Sequence, residues 1–133
     1  MNPTGLAYDP RCLLHDNGSM IVDERAAAWL DVPHAENAAR VRRAFEVLEN
    51  SGVAGRLERI DTRPATRAEL ALIHTEGHID RIEAACREGS LQWVGPEARA
   101  GAGSWEAALV SAGAAVAAVD ARSRTRPLVS PTF

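Results

Sequence analysis

The sequence has few cysteines, no long apolar run and no excess of basic charge. Its two cysteines, Cys12 and Cys86, are too few for a disulfide framework and have no partner at zinc-finger spacing, so we expect buried free thiols. No apolar stretch reaches the length of a membrane span, and residues 1–5 lack the basic and apolar segments of a signal peptide. We therefore expect a cytoplasmic protein with no membrane partner.

The charge balance argues against a nucleic-acid partner. The chain has 15 basic and 18 acidic side chains, a formal net charge of -3, and its arginines are scattered among glutamates and aspartates. With 133 residues, of which 46% are hydrophobic and 25% charged, the composition is that of one ordinary globular domain.

The strongest helix signal lies in residues 104–121. Ser104 is a good N-cap and Glu106 would lie in the positive first turn. One apolar stripe at helical spacing comprises Trp105, Leu109, Ala112, Val116 and Val119. Because six alanines fill the intervening positions, this helix needs burial on more than one side. We expect it to mediate self-association or pairing with a missing C-terminal half, since only twelve residues follow Ala121.

The remaining pattern predicts an α/β domain with a parallel sheet, mostly helical in this chain. Residues 4–8 and 57–60 are predicted strands, 23–30 a short helix, and 90–103 a surface loop. After Pro33 a helix is expected to end at Gly52, and a capping box of Thr66 and Glu69 to start another. A further helix would begin at Thr75 and end before Gly89. The residues expected to face the interior of these three helices are Val41, Phe45, Leu48, Leu70, Ile73, Ile79, Ile82 and Cys86.

The histidines are the main candidates for metal binding or acid–base chemistry. His74 and His78 are four residues apart, but Thr75 and Gly77 predict a helix boundary between them, so capping or partly buried imidazoles are favoured over a zinc motif. His15 and His34 are interpreted as a solvated turn residue and a near-cap residue. No serine lies in a nucleophile elbow, and residues 101–103 are favoured as a plain hinge. The residues themselves therefore predict no catalytic and no metal-binding side chain.

Nine short segments, in order along nearly the whole chain, nevertheless resemble one family. They are residues 4–9, 14–16, 34–42, 64–66, 69–70, 73–75, 78–79, 103–108 and 119–120. In this order they resemble the N-terminal portion of the histone deacetylase-like amidohydrolases, which include acetylpolyamine amidohydrolases and acetoin-utilisation proteins. The resemblance departs at Ala35 and Ala38, where relatives usually carry proline, so the entry to that helix is expected to be less rigid.

The resemblance implies a partial arginase/deacetylase-like α/β fold and one partial domain over residues 1–133. In the full-length family it implies zinc and hydrolysis of a small acetylated lysine or polyamine substrate, with tandem histidines moving protons. These groups would follow a strand resembling residues 128–133, so we expect the chain to stop before them and to hold no cofactor of its own.

Two side chains are assigned substrate-binding roles through the resemblance alone. Arg40 matches a family arginine near the inner end of the active-site tunnel, where it would have a binding or structural role. Glu97 lies in the loop where relatives often carry an aspartate that holds the substrate backbone, although Gly95 is an alternative match. Two further readings stay open, namely a non-catalytic helical interaction module and a swapped or dimeric copy that covers the apolar helix.

Overall fold

A computed structural model describes residues 4–20, 29, 32–96 and 98–125, and within them the chain forms two small sheets and four α-helices. Strand β1 (Gly5–Ala7) pairs in parallel with β2 (Glu58–Ile60), and β3 (Gln92–Gly95) pairs antiparallel with β4 (Ala98–Ala100). The helices are α1 (Ala38–Asn50), α2 (Arg67–Leu70), α3 (Glu76–Arg87) and α4 (Ser104–Thr125). Short 3₁₀ turns occupy Pro10–Leu14 and Ala54–Arg56. The parallel pairing of β1 with β2 agrees with the predicted α/β class.

The helix boundaries follow from local capping chemistry. The Asn37 side chain accepts from the Ala39 amide at the start of α1, and Gly52, at a φ of +71°, follows its end. The predicted capping box is present, because Thr66 and Glu69 each accept from the other's backbone amide. Thr75 caps α3 as predicted, and its hydroxyl accepts from the His78 amide.

The core of the described residues is small and centres on α4. The buried apolar residues are Ala54, Ala65, Ile79, Cys86, Ala100, Ala107 and Val110. Of the large side chains among them, Val110 is fully enclosed, with 0% exposure. Within the described ranges no helix is long and apolar enough to cross a membrane.

Helix α4 is held against the chain by a close backbone approach at Gly113. A Cβ atom there would overlap the carbonyl oxygen of Arg63 and lie 2.7 Å from the Ala65 nitrogen. The absent side chain lets the Ala65 amide donate to the Leu109 carbonyl of α4 over 2.8 Å. The lack of a side chain at Gly113 therefore lets the segment that follows β2 pack directly against α4.

A buried carboxylate joins the end of β1 to the segment after β2. Asp9 accepts from the Arg11 amide and guanidinium, the shortest bond being 2.6 Å from Nη2, and from the Thr62 hydroxyl. The hydrogen bonds from Arg11 hold the pKa of Asp9 below its ordinary value, against an opposing effect of burial. The described part of the chain thus has polar as well as apolar cross-links.

Several sequence predictions were wrong in detail. The 90–103 segment, predicted as a loop, contains the β3–β4 hairpin. The prediction missed it because the strands are too short to show alternation in the sequence. Ile73, predicted to be buried, is 82% exposed, since α2 ends at Leu70 and a turn carries the next residues outward. The predicted strand 4–8 is shortened to Gly5–Ala7, and Val41 is 44% exposed whereas Phe45 and Leu48 are half-buried.

Helix α4 also differs from its prediction. It continues to Thr125, and Ser104 is its first helical residue, not the residue before it. Its buried positions are Ser104, Ala107, Val110 and Gly113, which do not coincide with the predicted stripe of larger residues. Of the two thiols, Cys86 is buried as expected but Cys12 is half-buried. Of the predicted 23–30 helix only residue 29 is described, and Trp29 is 78% exposed.

Candidate functional site

A cavity in the described chain lies where three segments meet: residues 17–20, residues 32–36 and the β3–β4 hairpin. The first two segments pair over a short length, because the Met20 amide donates to the Val32 carbonyl over 2.7 Å and the His34 amide to the Gly18 carbonyl over 3.2 Å. An isolated antiparallel bridge joins Ser19 to Pro33. We call this pairing the neck.

The neck is tight against the hairpin at Gly18. This glycine has a φ of +72°, and a Cβ there would lie 2.9 Å from Leu91 Cδ1 and 3.2 Å from Arg99 Nη1. The Asp16 carboxylate accepts from the Gly18 amide over 2.8 Å, which is the turn chemistry expected of this residue type.

Asn17 connects all three segments. It is only 7% exposed, and its Oδ1 accepts from the Arg99 amide over 2.7 Å. Its Nδ2 lies 3.1 Å from Nδ1 of the His34 ring. A buried amide with partners on two other segments fixes their relative positions, because losing either partner would leave a buried polar group unsatisfied.

Arg99 and Trp93 form the hairpin side of the cavity. The Arg99 guanidinium donates from Nη2 to the Ser19 carbonyl over 3.1 Å, and its Cζ lies 4.8 Å from the centroid of the Trp93 ring. This distance is within cation–π range, and the indole remains 65% exposed.

The opposite side is formed by the residues that precede α1. The Glu36 amide lies 3.0 Å from His34 Nδ1, and the Asn37 side chain donates to the His34 carbonyl over 2.5 Å. His34 was predicted as a near-cap residue, and the structure places it next to Asn37, which is the N-cap. The cavity between the two sides has a volume of about 410 Å³ and is lined by Asn17, Ser19, Met20, His34, Ala35, Glu36, Trp93, Pro96 and Arg99.

Of the two substrate-binding residues assigned through the resemblance, the structure describes Arg40 but not Glu97. Arg40 lies on the first turn of α1 and forms an ion pair with Glu36, with both side chains more than half exposed. It therefore lies next to a residue that lines the cavity. Glu97 lies outside the described residues, between the cavity residue Pro96 and the start of β4, and the alternative match Gly95 is the half-buried last residue of β3.

The described residues do not fit a zinc ion. Among the described residues no group of three or more His, Cys, Asp or Glu side chains could hold a metal. His74 and His78 stack with ring centroids 5.1 Å apart, and an Arg81 guanidinium nitrogen lies 3.1 Å from His78 Nδ1. A zinc site would need further ligands converging on these rings.

His15 corrects one prediction. It was interpreted as a solvated turn residue, but it is half-buried, and its Nδ1 lies 2.9 Å from the hydroxyl of Ser104. That hydroxyl also accepts from the Gly101 amide over 2.9 Å. The His15 contact connects the residues before the neck to the start of α4. The loop at residues 101–103, predicted as a plain hinge, is held by the hydrogen bond from the Gly101 amide to the Ser104 side chain.

Sequence reasoning missed Asn17 and Arg99. The Asn17-Gly18 pair was identified only as a turn, and nothing in the sequence pairs it with a residue 82 positions away. No sequence signal marks Arg99, because a strand of three residues is too short to show a period.

Comparison with known proteins supplies the family. A family model described as the histone deacetylase domain matches residues 34–126. The chain is 33% identical over 122 residues to the histone deacetylase-like amidohydrolase of Pseudomonas aeruginosa, which covers 89% of this chain and 32% of that protein. It is 33% identical over 93 residues to histone deacetylase 8 of Arabidopsis thaliana, which covers 68% of this chain and 25% of that protein.

A solved structure matches as well. The crystal structure of the HDA15 HD domain superposes with a TM-score of 0.71 at 27% identity, over 86% of this chain and 30% of that chain. The chain thus spans about a third or less of the length of the relatives it matches.

Proposed function

The chain belongs to the histone deacetylase family, and from this membership we propose that it forms the N-terminal, substrate-proximal part of a zinc-dependent deacetylase-like amidohydrolase. The resemblance and the partial α/β deacetylase-like fold predicted from the sequence are both confirmed by the family and structural matches. The family match over residues 34–126 is the observation that carries the proposal. Its proposed reaction, in the full-length protein, is hydrolysis of the acetyl amide on a lysine or a polyamine.

In this proposal the chain forms part of the scaffold of the domain and part of the surface along which the substrate approaches the active site. The cavity is bordered by Glu36, the partner of Arg40, and by Pro96, the neighbour of Glu97. We propose that Arg40 has a binding or structural role and that Glu97 contacts substrate. The catalytic histidines and the metal ligands would come from outside these 133 residues, because the four histidines of the chain lie in three separate places.

The test is an activity and metal measurement on the purified chain. We expect no turnover of an acetyl-lysine peptide or an acetylpolyamine and no stoichiometric zinc, since the described side chains offer no metal cage. The Pseudomonas relative, assayed in parallel, is the positive control. One tightly bound zinc with turnover in this chain would contradict the proposal.

A second candidate is a non-catalytic helical interaction module. It is favoured by α4, whose outward positions include the exposed Ala108 and Ala115 and the 65% exposed Val119. We propose that its partner is a polypeptide that carries the rest of a deacetylase-like domain. Residues 1–133 would then form one partial domain. We also propose a cytoplasmic location and no nucleic-acid partner, and the net charge of -3 supports the second of these points.

A further inference from the structure

The hydrogen bonds around Asn17 determine which atoms the cavity presents. Its Oδ1 is committed to the Arg99 amide at 2.7 Å, so the side-chain amide cannot be flipped, and Nδ2 faces the His34 ring. The orientation of this amide is therefore set by a backbone partner on β4.

The His34 tautomer follows from the same network. Nδ1 lies 3.0 Å from the Glu36 amide and 3.1 Å from Asn17 Nδ2, both of which are donors, and 3.3 Å from the Glu36 carbonyl. Asn17 Nδ2 also lies 3.3 Å from Nε2, but the backbone amide of Glu36 contacts Nδ1 alone. An unprotonated Nδ1 satisfies the two closer donors, whereas a protonated one would oppose them to reach the more distant acceptor. We assign the ring proton to Nε2, so the imidazole is a donor at the cavity wall.

The cavity therefore combines donors with an apolar surface. Arg99 has five N–H groups in a planar fork, and the Ser19 carbonyl engages Nη2. His34 adds its Nε2–H. Trp93 and Met20, both substantially exposed, supply flat and flexible apolar surface on the same cavity.

One acidic side chain opposes this pattern. Glu36 also lines the cavity, but it is paired with Arg40 and 70% exposed, so its charge is compensated and screened by water. Arg99 is half-buried, and its positive charge acts in a less polar environment. A ligand with a negative group near Arg99 is thus favoured over a cation.

We propose that this cavity binds a small organic carboxylate, with its oxygens on the Arg99 fork and His34 Nε2–H and its flat apolar part against Trp93 and Met20. The volume of about 410 Å³ lies within the range of ligand pockets, which is roughly 300–1,000 Å³. Carboxylates are the ligands that a guanidinium recognises in a planar, two-bond geometry. This site shares the cavity that the proposed function assigns to the substrate approach, but the binding of a carboxylate there does not require amide hydrolysis.

The first experiment titrates three ligands of nearly equal shape into the ¹⁵N-labelled full chain at constant ionic strength. Benzoate, benzamide and benzamidinium differ mainly in charge. We expect benzoate to bind with a Kd on the order of 1 mM and about tenfold tighter than benzamide, with shifts at the neck and hairpin. Benzamidinium binding as tightly as benzoate, or equal shifts from all three, would overturn the proposal.

The second experiment uses variants with opposite expected effects. Arg99→Gln should weaken benzoate binding about tenfold, and Arg99→Lys by less, because a point charge remains without the fork. Glu36→Gln should tighten binding about twofold, since a nearby negative charge is removed. Arg56→Gln, at an exposed arginine outside the cavity lining, should change nothing.

A side-chain measurement keeps the test decisive if Arg99→Gln disturbs the hairpin. In the unsubstituted chain, ¹⁵N spectra of the His34 ring should show a protonated Nε2 that shifts on benzoate addition while Nδ1 keeps its acceptor signature. A protonated Nδ1, or no ring response at saturating benzoate, would refute the assignment.

Discussion

At the residue scale, Gly113 is the position where a single methyl group should cost most. In Gly113→Ala the Cβ would overlap the Arg63 carbonyl and crowd the Ala65 nitrogen, so the segment must leave α4. We expect a loss of about 1–3 kcal/mol in the free energy of unfolding, measured by urea denaturation. Gly77→Ala in α3 is the matched control, because no atom lies within 4 Å of its Cβ, and it should be neutral or stabilising by up to about 1 kcal/mol. Equal effects at both positions would contradict the close approach.

Also at the residue scale, the Glu69 carboxylate should make stability depend on acid pH. Hydrogen bonds from Arg63 and from the Thr66 amide lower the pKa of Glu69 from 4.5 to about 2. Because the folded-state pKa is depressed, its contribution is present above about pH 4.5 and is lost as the pH falls toward 2. Glu69→Gln should therefore flatten the loss of stability over this window, as followed by thermal unfolding at each pH. Arg63→Gln, which removes the other half of the pair, should flatten it too, and an unchanged acid slope in both variants would refute the cause.

At the element scale, the hairpin and the neck should be coupled through Asn17. Asn17→Ala leaves the part-buried Arg99 amide without its acceptor, so we expect a loss of about 1–3 kcal/mol in the free energy of unfolding and faster hydrogen exchange at Arg99. Asn50→Ala, at the exposed end of α1, is the control and should leave that exchange rate unchanged. Retained protection of the Arg99 amide in Asn17→Ala would show that the hairpin is positioned by other contacts.

The four α-helices also show how far local pattern reaches. The caps at Thr66 and Thr75 and the glycines at 52 and 89 were readable from sequence, because capping involves residues within four positions. The β3–β4 hairpin was not, since strands of three and four residues with a register shift have no measurable period.

At the scale of the whole molecule, the apolar side of α4 should make the chain associate. Val119 is 65% exposed on a helix that is apolar around most of its circumference, and such helices are normally covered on several sides. We expect the mass in sedimentation equilibrium to rise with concentration, and Val119→Lys to reduce this rise. Val47→Lys, an equally exposed valine on α1, is the matched control. A cooperative monomer at all concentrations would instead favour a self-sufficient domain.

The sequence by itself carried the resemblance to the family, in nine ordered segments, and the net charge of -3. It also determined the caps at Thr66 and Thr75 and the glycines at 52 and 89, because capping depends on neighbours close in the chain. Which side of α4 is buried was left to tertiary structure, since a helix of alanines and valines has no contrast between faces and only the approach of residues 63–65 at Gly113 selects one. Tertiary structure also decided the cavity. Asn17, His34 and Arg99 come together at one cavity because a hydrogen bond joins Asn17 to Arg99, 82 positions away in the chain. No local periodicity in the sequence predicts a contact over that separation.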